Sequence, residues 1–253
     1  MKRFIAIILT SASLLIASFN ASAQYFNHIS LGVGAGFDGV SLQAAAPIGS
    51  FLQLRLGGSY MPPFGYSFDV DDVEYMPGQY VDLSLRGQAN IKSFNAMLDL
   101  FPGRTTNFHF TFGVFAGPGH LASLYNTKPY LDEEDWGTSG IQIGNTLVTT
   151  DERGVSTINA DINKIMPYFG IGAGRAVGAH AVSFCFDLGA CYSGGIGAYT
   201  YGTNIKTGQT DYVRITSADI TNSGGDDNGL IDKIGQYSKF LPLLKFSLFF
   251  RLF

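Results

Sequence analysis

The stretch 243–253, LLKFSLFFRLF, limits what this chain can fold into more than any other segment. Read with a period of two, it sets Leu244, Phe246, Leu248, Phe250 and Leu252 on one face and Lys245, Ser247 and Arg251 on the other. A soluble sheet rarely carries so greasy a row opposite two cations. A strand that closes a barrel needs both, because lipid lies outside it and a polar lumen inside. The pattern predicts a transmembrane β-barrel.

The other end of the chain agrees. Lys2 and Arg3 precede an apolar run over 4–16, and Ala21-Ser22-Ala23 before Gln24 has the small-x-small form of a signal-peptidase site. Residues 1–23 are therefore expected to be a cleaved signal peptide and 24–253 a single barrel domain. No cysteine follows the cut, so no lipid anchor is expected. Nor does any later segment offer the ~18 consecutive apolar residues of a spanning helix.

Without Lys2 and Arg3, the sixteen basic residues fall to fourteen against twenty acidic ones, a net charge of −6. Such a balance argues against nucleic acid as a partner. Thirty-two glycines, 14% aromatic residues and only 14% charged ones suit a β-rich chain.

Alternation predicts eight strands, at 26–37, 40–46, 51–60, 80–101, 107–117, 168–176, 181–192 and 243–253. Asp38-Gly39 turns the first into the second. In the fourth, the apolar positions move from odd (Val81, Leu83, Leu85, Ala89, Ile91) to even (Phe94, Ala96, Leu98, Leu100), which predicts a bulge near Lys92-Ser93. Short connections follow the second, fourth and sixth strands, whereas 61–79, 121–165 and 193–240 are long. Short periplasmic turns opposite three long extracellular loops complete the expectation of an eight-stranded antiparallel outer-membrane barrel.

The segments DGVSLQAAAPIGSFLQLRLGGSYMP (38–62) and MLDLFPGRTTNFHFTFGVF (97–115), with the C-terminal strand, resemble the small outer-membrane β-barrel proteins of the Bacteroides type, relatives of the outer-membrane protein A and W barrels. The resemblance covers the barrel but not its loops, and it implies architecture rather than activity. It implies a monomer inserted by the barrel-assembly machinery among outer-membrane lipid and lipopolysaccharide.

An eight-stranded barrel has room for its own side chains or one small ligand. Its expected inner face holds Arg55, Asp82, Arg86, Asp99, His109, Asp187, Lys245 and Arg251, close to balanced in sign. Buried charges persist when paired, so these residues predict a salt-bridged plug. The same residues would otherwise line a narrow, porin-like channel for small or hydrophobic solutes. Asp99 and His109 are expected to pair across the Pro102 turn.

Cys185 and Cys191, six residues apart on one expected strand, lie about 20 Å from each other and cannot form a disulfide. A lipid A-modifying enzyme would need a histidine, a serine nucleophile and an acid at the outer rim. His28, His109 and His180 fall at the periplasmic end. His120 with Ser123 is left, and its His-x-x-Ser spacing departs from the His-x-Ser of lipid A deacylases.

The long loops carry Asp69, Asp71, Asp72 and Glu74, then Asp132 to Asp135, then Asp226-Asp227. They read as a solvated acidic surface or a cation bridge to lipopolysaccharide, since Asp226-Asp227-Asn228-Gly229 lacks calcium-loop spacing. A hairpin over 145–159 and a short helix over 228–240 are expected inside them. Neither a metal nor a cofactor is called for. The expected role is non-enzymatic, structural or in surface recognition.

Overall fold

Period-two alternation in this chain becomes a ring of strands. The computed structural model describes residues 28–76, 78–117, 119–143, 145–205, 207–216, 219 and 230–252. The expected signal peptide, the first residues of the first expected strand, Asp226 to Gly229 and Phe253 lie outside the described residues. Along the chain run β1 (Ser30–Gly36), β2 (Gly39–Pro47), β3 (Leu52–Met76), β4 (Gln79–Leu100), β5 (Phe108–Ala116), β6 (His120–Asn126), β7 (Gly140–Ile143) and β8 (Thr146–Thr149). Then come β9 (Thr157–Asp161), β10 (Ile165–Gly174), β11 (Val182–Tyr192), β12 (Gly197–Asn204), β13 (Thr210–Ile215), helix α1 (Leu230–Tyr237) and β14 (Phe240–Arg251).

Antiparallel pairing runs β1-β2-β3-β4-β5-β10-β11-β14 and returns to β1, so eight strands close on themselves. A closed ring leaves no unpaired edge. Its strands alternate in the sense opposite to a soluble core. Leu31, Val33, Leu56, Phe112, Phe184 and Phe246 are exposed, while Arg55, Asp99, His109 and Lys245 are buried. Among the described residues no helix is long and apolar enough to cross a membrane.

Among the described residues the chain forms fourteen strands rather than the eight expected. The other six belong to the long connections, which carry more β-structure than their polar sequences signal. Residues 61–76, expected in a loop, instead prolong β3 to 25 residues, while β4 keeps the 22-residue length expected of it. Beyond the ring, β4 is followed by β6, β9, β12, β8 and β7, with β13 on β12. No hairpin forms across 145–159. Instead β7 pairs with β8, and both β8 and β9 pair with β12.

The bulge expected in β4 lies in its neighbours. Tyr60 faces Lys92 and Phe64 faces Ala89, so four residues of β3 match three of β4, with Pro62-Pro63 at the insertion. On the other side, Phe94 faces Ala116 and Ala89 faces Ala122, six residues against five. Proline tolerates such a place because it has no N–H to lose. The alternation of β4 is thus unbroken, and its environment changes instead: Leu83 is buried and Asp82 exposed. Past the ring Leu83 packs inward as in a soluble sheet, whereas Phe64 and Tyr66 of β3, paired with Ala89 and Gly87 on that face, stay exposed.

One end of the ring is stoppered by the turn between β10 and β11. Ala176 and Val177 are buried there against Ala45, Cys185 and Phe249. The Gln53 amide holds Val177 from both sides, donating to its carbonyl at 3.0 Å and accepting from its N–H at 3.2 Å. Arg251 donates to the carbonyls of Gly178 (3.3 Å) and Ala179 (3.0 Å). Arg175 donates to Gly103, Arg104 and Thr106 and lies 4.0 Å over the Phe101 ring.

Candidate functional site: the charged barrel interior

Five inward positions on four strands meet at mid-height. Arg55 stands on β3, and its guanidinium donates to Asp187 of β11 at 2.7 and 2.8 Å and to Asp99 of β4 at 2.7 Å. Thr111 of β5 donates to Asp99 at 2.9 Å, and His109 of the same strand reaches Asp187 at 3.0 Å. Arg55, Asp99 and His109 are each 0% exposed. The rigid fork of arginine suits this place, since it serves two carboxylates with separate N–H groups. Glycine makes the space: a Cβ on Gly172 would lie 2.3 Å from the His109 ring nitrogen.

Counted as ions, one arginine meets two aspartates, and the His109 ring lies against the Asp187 carboxylate as well. Removing Arg55 would leave both carboxylates buried without their cation. Asp99, His109 and Asp187 present ligand atoms within 4.8 Å of one another, a geometry that could take a metal ion. The Arg55 guanidinium already supplies the positive charge between the two carboxylates.

A second layer lies toward the long connections. Lys245 of β14 donates to Asp38 at 2.6 Å and to Ser59 at 3.1 Å, and Ser59 donates to the same carboxylate. Gln43 donates to Ser41 and Ser247 nearby. Opposite these polar groups stand Met97, Phe115, Tyr168, Cys191 and Leu243. A cavity of about 100 Å³ between the two walls is lined by Asp38, Ser93, Phe115 and Cys191 among others. Asp38, Ser93 and Asn95 each turn a side-chain atom without a protein partner into the interior, and the space admits a few waters to serve them.

Six of the eight expected residues lie within the ring. Arg55, Asp99, His109 and Asp187 come together, Lys245 joins the second layer, and Arg251 sits apart at the stoppered end. Asp82 and Arg86 do not enter the lumen, because β3 and β4 run on past the ring before reaching them. Asp82 accepts from the Asp72 N–H at 3.2 Å, and Arg86 contacts Ser67 at 3.5 Å. His109 pairs with Asp187 rather than with Asp99, whose cross-strand neighbour is Thr111. The residues missing from the expectation are Asp38, Ser59 and Thr111. Asp38 continues the inward parity of Ser30 through Gly36, so the alternation did signal it.

No protein-family model matches this chain, and no curated protein does. Among solved structures it is similar to CarO of Acinetobacter baumannii, with TM-score 0.46, 17% identity, and 87% of this chain and 96% of that one covered. It is similar also to CarO2 of the same organism, with TM-score 0.46, 13% identity, and 88% and 98% covered. A major outer membrane protein from Thermus thermophilus gives TM-score 0.42, 15% identity, and 89% and 99% covered. These overlaps are loose, and the ring stands on its own strand pairings.

At the other rim, His120 turns to Asp161, with Nδ1 and Oδ1 2.6 Å apart, while Ser123 donates to Asn159 at 2.7 Å. A nucleophile has to lie within hydrogen-bond reach of its base. These two point to different partners. Cys185 and Cys191 are free, buried and six residues apart on β11.

Proposed function

We propose that this chain is an integral protein of the bacterial outer membrane, an eight-stranded barrel with a plugged lumen and no enzymatic activity. It holds a raised β-structure at the cell surface for a structural or recognition role. The small barrels that segments 38–62 and 97–115 resemble supply the analogy. The observation that carries the reading is the Arg55 bridge, which spans the ring between opposite strands with no exposure to solvent. An exposed apolar belt around such a polar interior is stable only where the outer surface meets lipid.

Two obstructions lie in series. The Arg55 layer fills the middle and the 175–181 turn the end, so neither relies on the other. The protein should fractionate with outer membranes, run faster on a gel unheated than boiled, and leave planar bilayers silent. Recovery from the periplasm without detergent would overturn the location, and steady wild-type currents would favour a narrow channel over a plug.

A further inference from the structure

The sheet that rises from the ring on the β4 side carries a polar groove of about 530 Å³ between β4, β6 and β9. Its walls are tied across the strands. Tyr125 donates to the Gln88 carbonyl oxygen at 3.0 Å, and Ser123 to that of Asn159 at 2.7 Å. Both oxygens of Asp161 are engaged as well, one by His120 at 2.6 Å and the other by the Tyr212 hydroxyl at 2.7 Å. Burial and this carboxylate together push the Tyr212 phenol well above its ordinary range, so it stays a donor.

The ties take up the side-chain oxygens of Gln88 and Asn159, and Asn90 beside them keeps a buried amide oxygen without a protein partner. The amide NH₂ of Gln88, the Asn90 oxygen and the ammonium of Lys92 remain for a guest, whereas the Asn159 amide also serves the Tyr212 hydroxyl. Lys92 forms no ion pair among the described residues and lies 5.7 Å over the Tyr60 ring. Two residues along the same face stands Phe94, 77% exposed in the apolar belt. The groove therefore begins where the belt ends, at the height of lipid head groups.

We propose that this groove binds an acidic saccharide, with its phosphate or carboxylate on Lys92 and its hydroxyls on the amides of Gln88 and Asn90. The reading of the barrel as a surface-recognition protein is the basis on which this rests. Planar amides and a single cation match a polyol bearing one negative group, whereas a nucleic acid would ask for several cations. The source is either a glycolipid head group in the same leaflet or a free sugar acid or phosphate.

The full chain, refolded in polyoxyethylene micelles that carry neither sugar nor phosphate, can be titrated calorimetrically with glucose 6-phosphate, glucose and inorganic phosphate. Glucose 6-phosphate should bind about tenfold tighter than either simpler probe, the effect of one hydrogen bond to a charged group. Lys92→Gln should abolish its advantage over glucose, and Arg104→Gln at the opposite end should not. Asn159→Asp, which places an anion in the groove, gives an independent reading if Lys92→Gln fails to refold.

A parallel titration with lipopolysaccharide in the same micelles separates the sources. Lys92-dependent binding of lipopolysaccharide alone identifies the glycolipid, and binding of both identifies free sugars as well. Equal binding of glucose and glucose 6-phosphate, or binding of neither anionic probe that depends on Lys92 or Asn159, overturns the proposal. Micelle binding needs only the fold, so such a failure is distinct from a wrong cellular location or a conducting lumen.

Discussion

Arg55 and Asp187 face each other across the full width of the barrel. Four pairings separate their strands whichever way the ring is followed, through β2, β1 and β14 or through β4, β5 and β10. Their two hydrogen bonds, at 2.7 and 2.8 Å, therefore brace the barrel along a diameter. No cross-strand ladder can do this, since ladders join only neighbours. Asp99 and Thr111 complete the brace from the side.

Removal of Arg55 should be the most damaging single change in the interior. Arg55→Ala leaves Asp99 and Asp187 buried without a cation, at a cost of about 3–5 kcal/mol. Arg55→Lys should fall between wild type and alanine, because one ammonium cannot reproduce the fork. Urea unfolding in lipid vesicles measures both, and a loss below about 1 kcal/mol for alanine would show that the diameter is not braced.

The outer face makes an opposite demand. Phe112 is exposed and lies beside its cross-strand neighbour Phe169, with ring centroids 5.3 Å apart. Phe112→Arg should cost about 2–4 kcal/mol in a bilayer, whereas Phe112→Leu should cost less than about 1.5 kcal/mol. Equal costs would mean that the residue does not meet lipid.

Two seals in series predict a synergy in conductance. Gln53→Ala frees the Val177 turn but leaves the Arg55 layer, and Arg55→Ala does the reverse. Each single variant should stay nearly silent in planar bilayers, and the double variant should conduct. A single variant that conducts as well as the double would show that one of the two obstructions is not sealing.

Cys185 and Cys191 should resist maleimide in the folded protein and react fully once it is boiled in detergent, as buried free thiols do. Rapid labelling without heat would show that the lumen admits the reagent.

Tyr212 offers a test by pH. Burial and then Asp161 raise its phenol above the ordinary value. A group raised on folding contributes its stability below the unfolded value, near pH 10, and loses it as the pH climbs toward the folded one. The ultraviolet titration of Tyr212→Phe should show one fewer late tyrosine than that of the wild type, with the raised sheet loosening only in strong alkali. Titration of Tyr212 together with the exposed tyrosines would contradict the half-buried bond to Asp161.

The alternation of 243–253, of 107–117 and of 51–60 determined the inside and outside of their strands, because in a barrel every second residue meets lipid and the pleat leaves no other choice. The parity of Arg55, Asp99, His109, Asp187 and Lys245 followed from the same rule, and so did the wrong lumen placement of Asp82 and Arg86. That rule assumes a constant environment along the strand. Where β4 runs past the ring, the alternation continues but Leu83 falls on the inner side and Asp82 on the outer.

Partnership was beyond the reach of periodicity. Whether His109 meets Asp99 or Asp187 depends on which strands are brought together across the lumen, and those strands lie 78 residues apart in the case of His109 and Asp187. The β-structure in the long connections was equally hidden, since short strands such as β7, β8 and β9 gain their stability from a shared neighbour, β12 or one another, rather than from their own composition. Sequence decided which face each ring residue takes. Only ring closure decided which residues meet across it, because pairing energies in a dry interior depend on positions that no single strand contains.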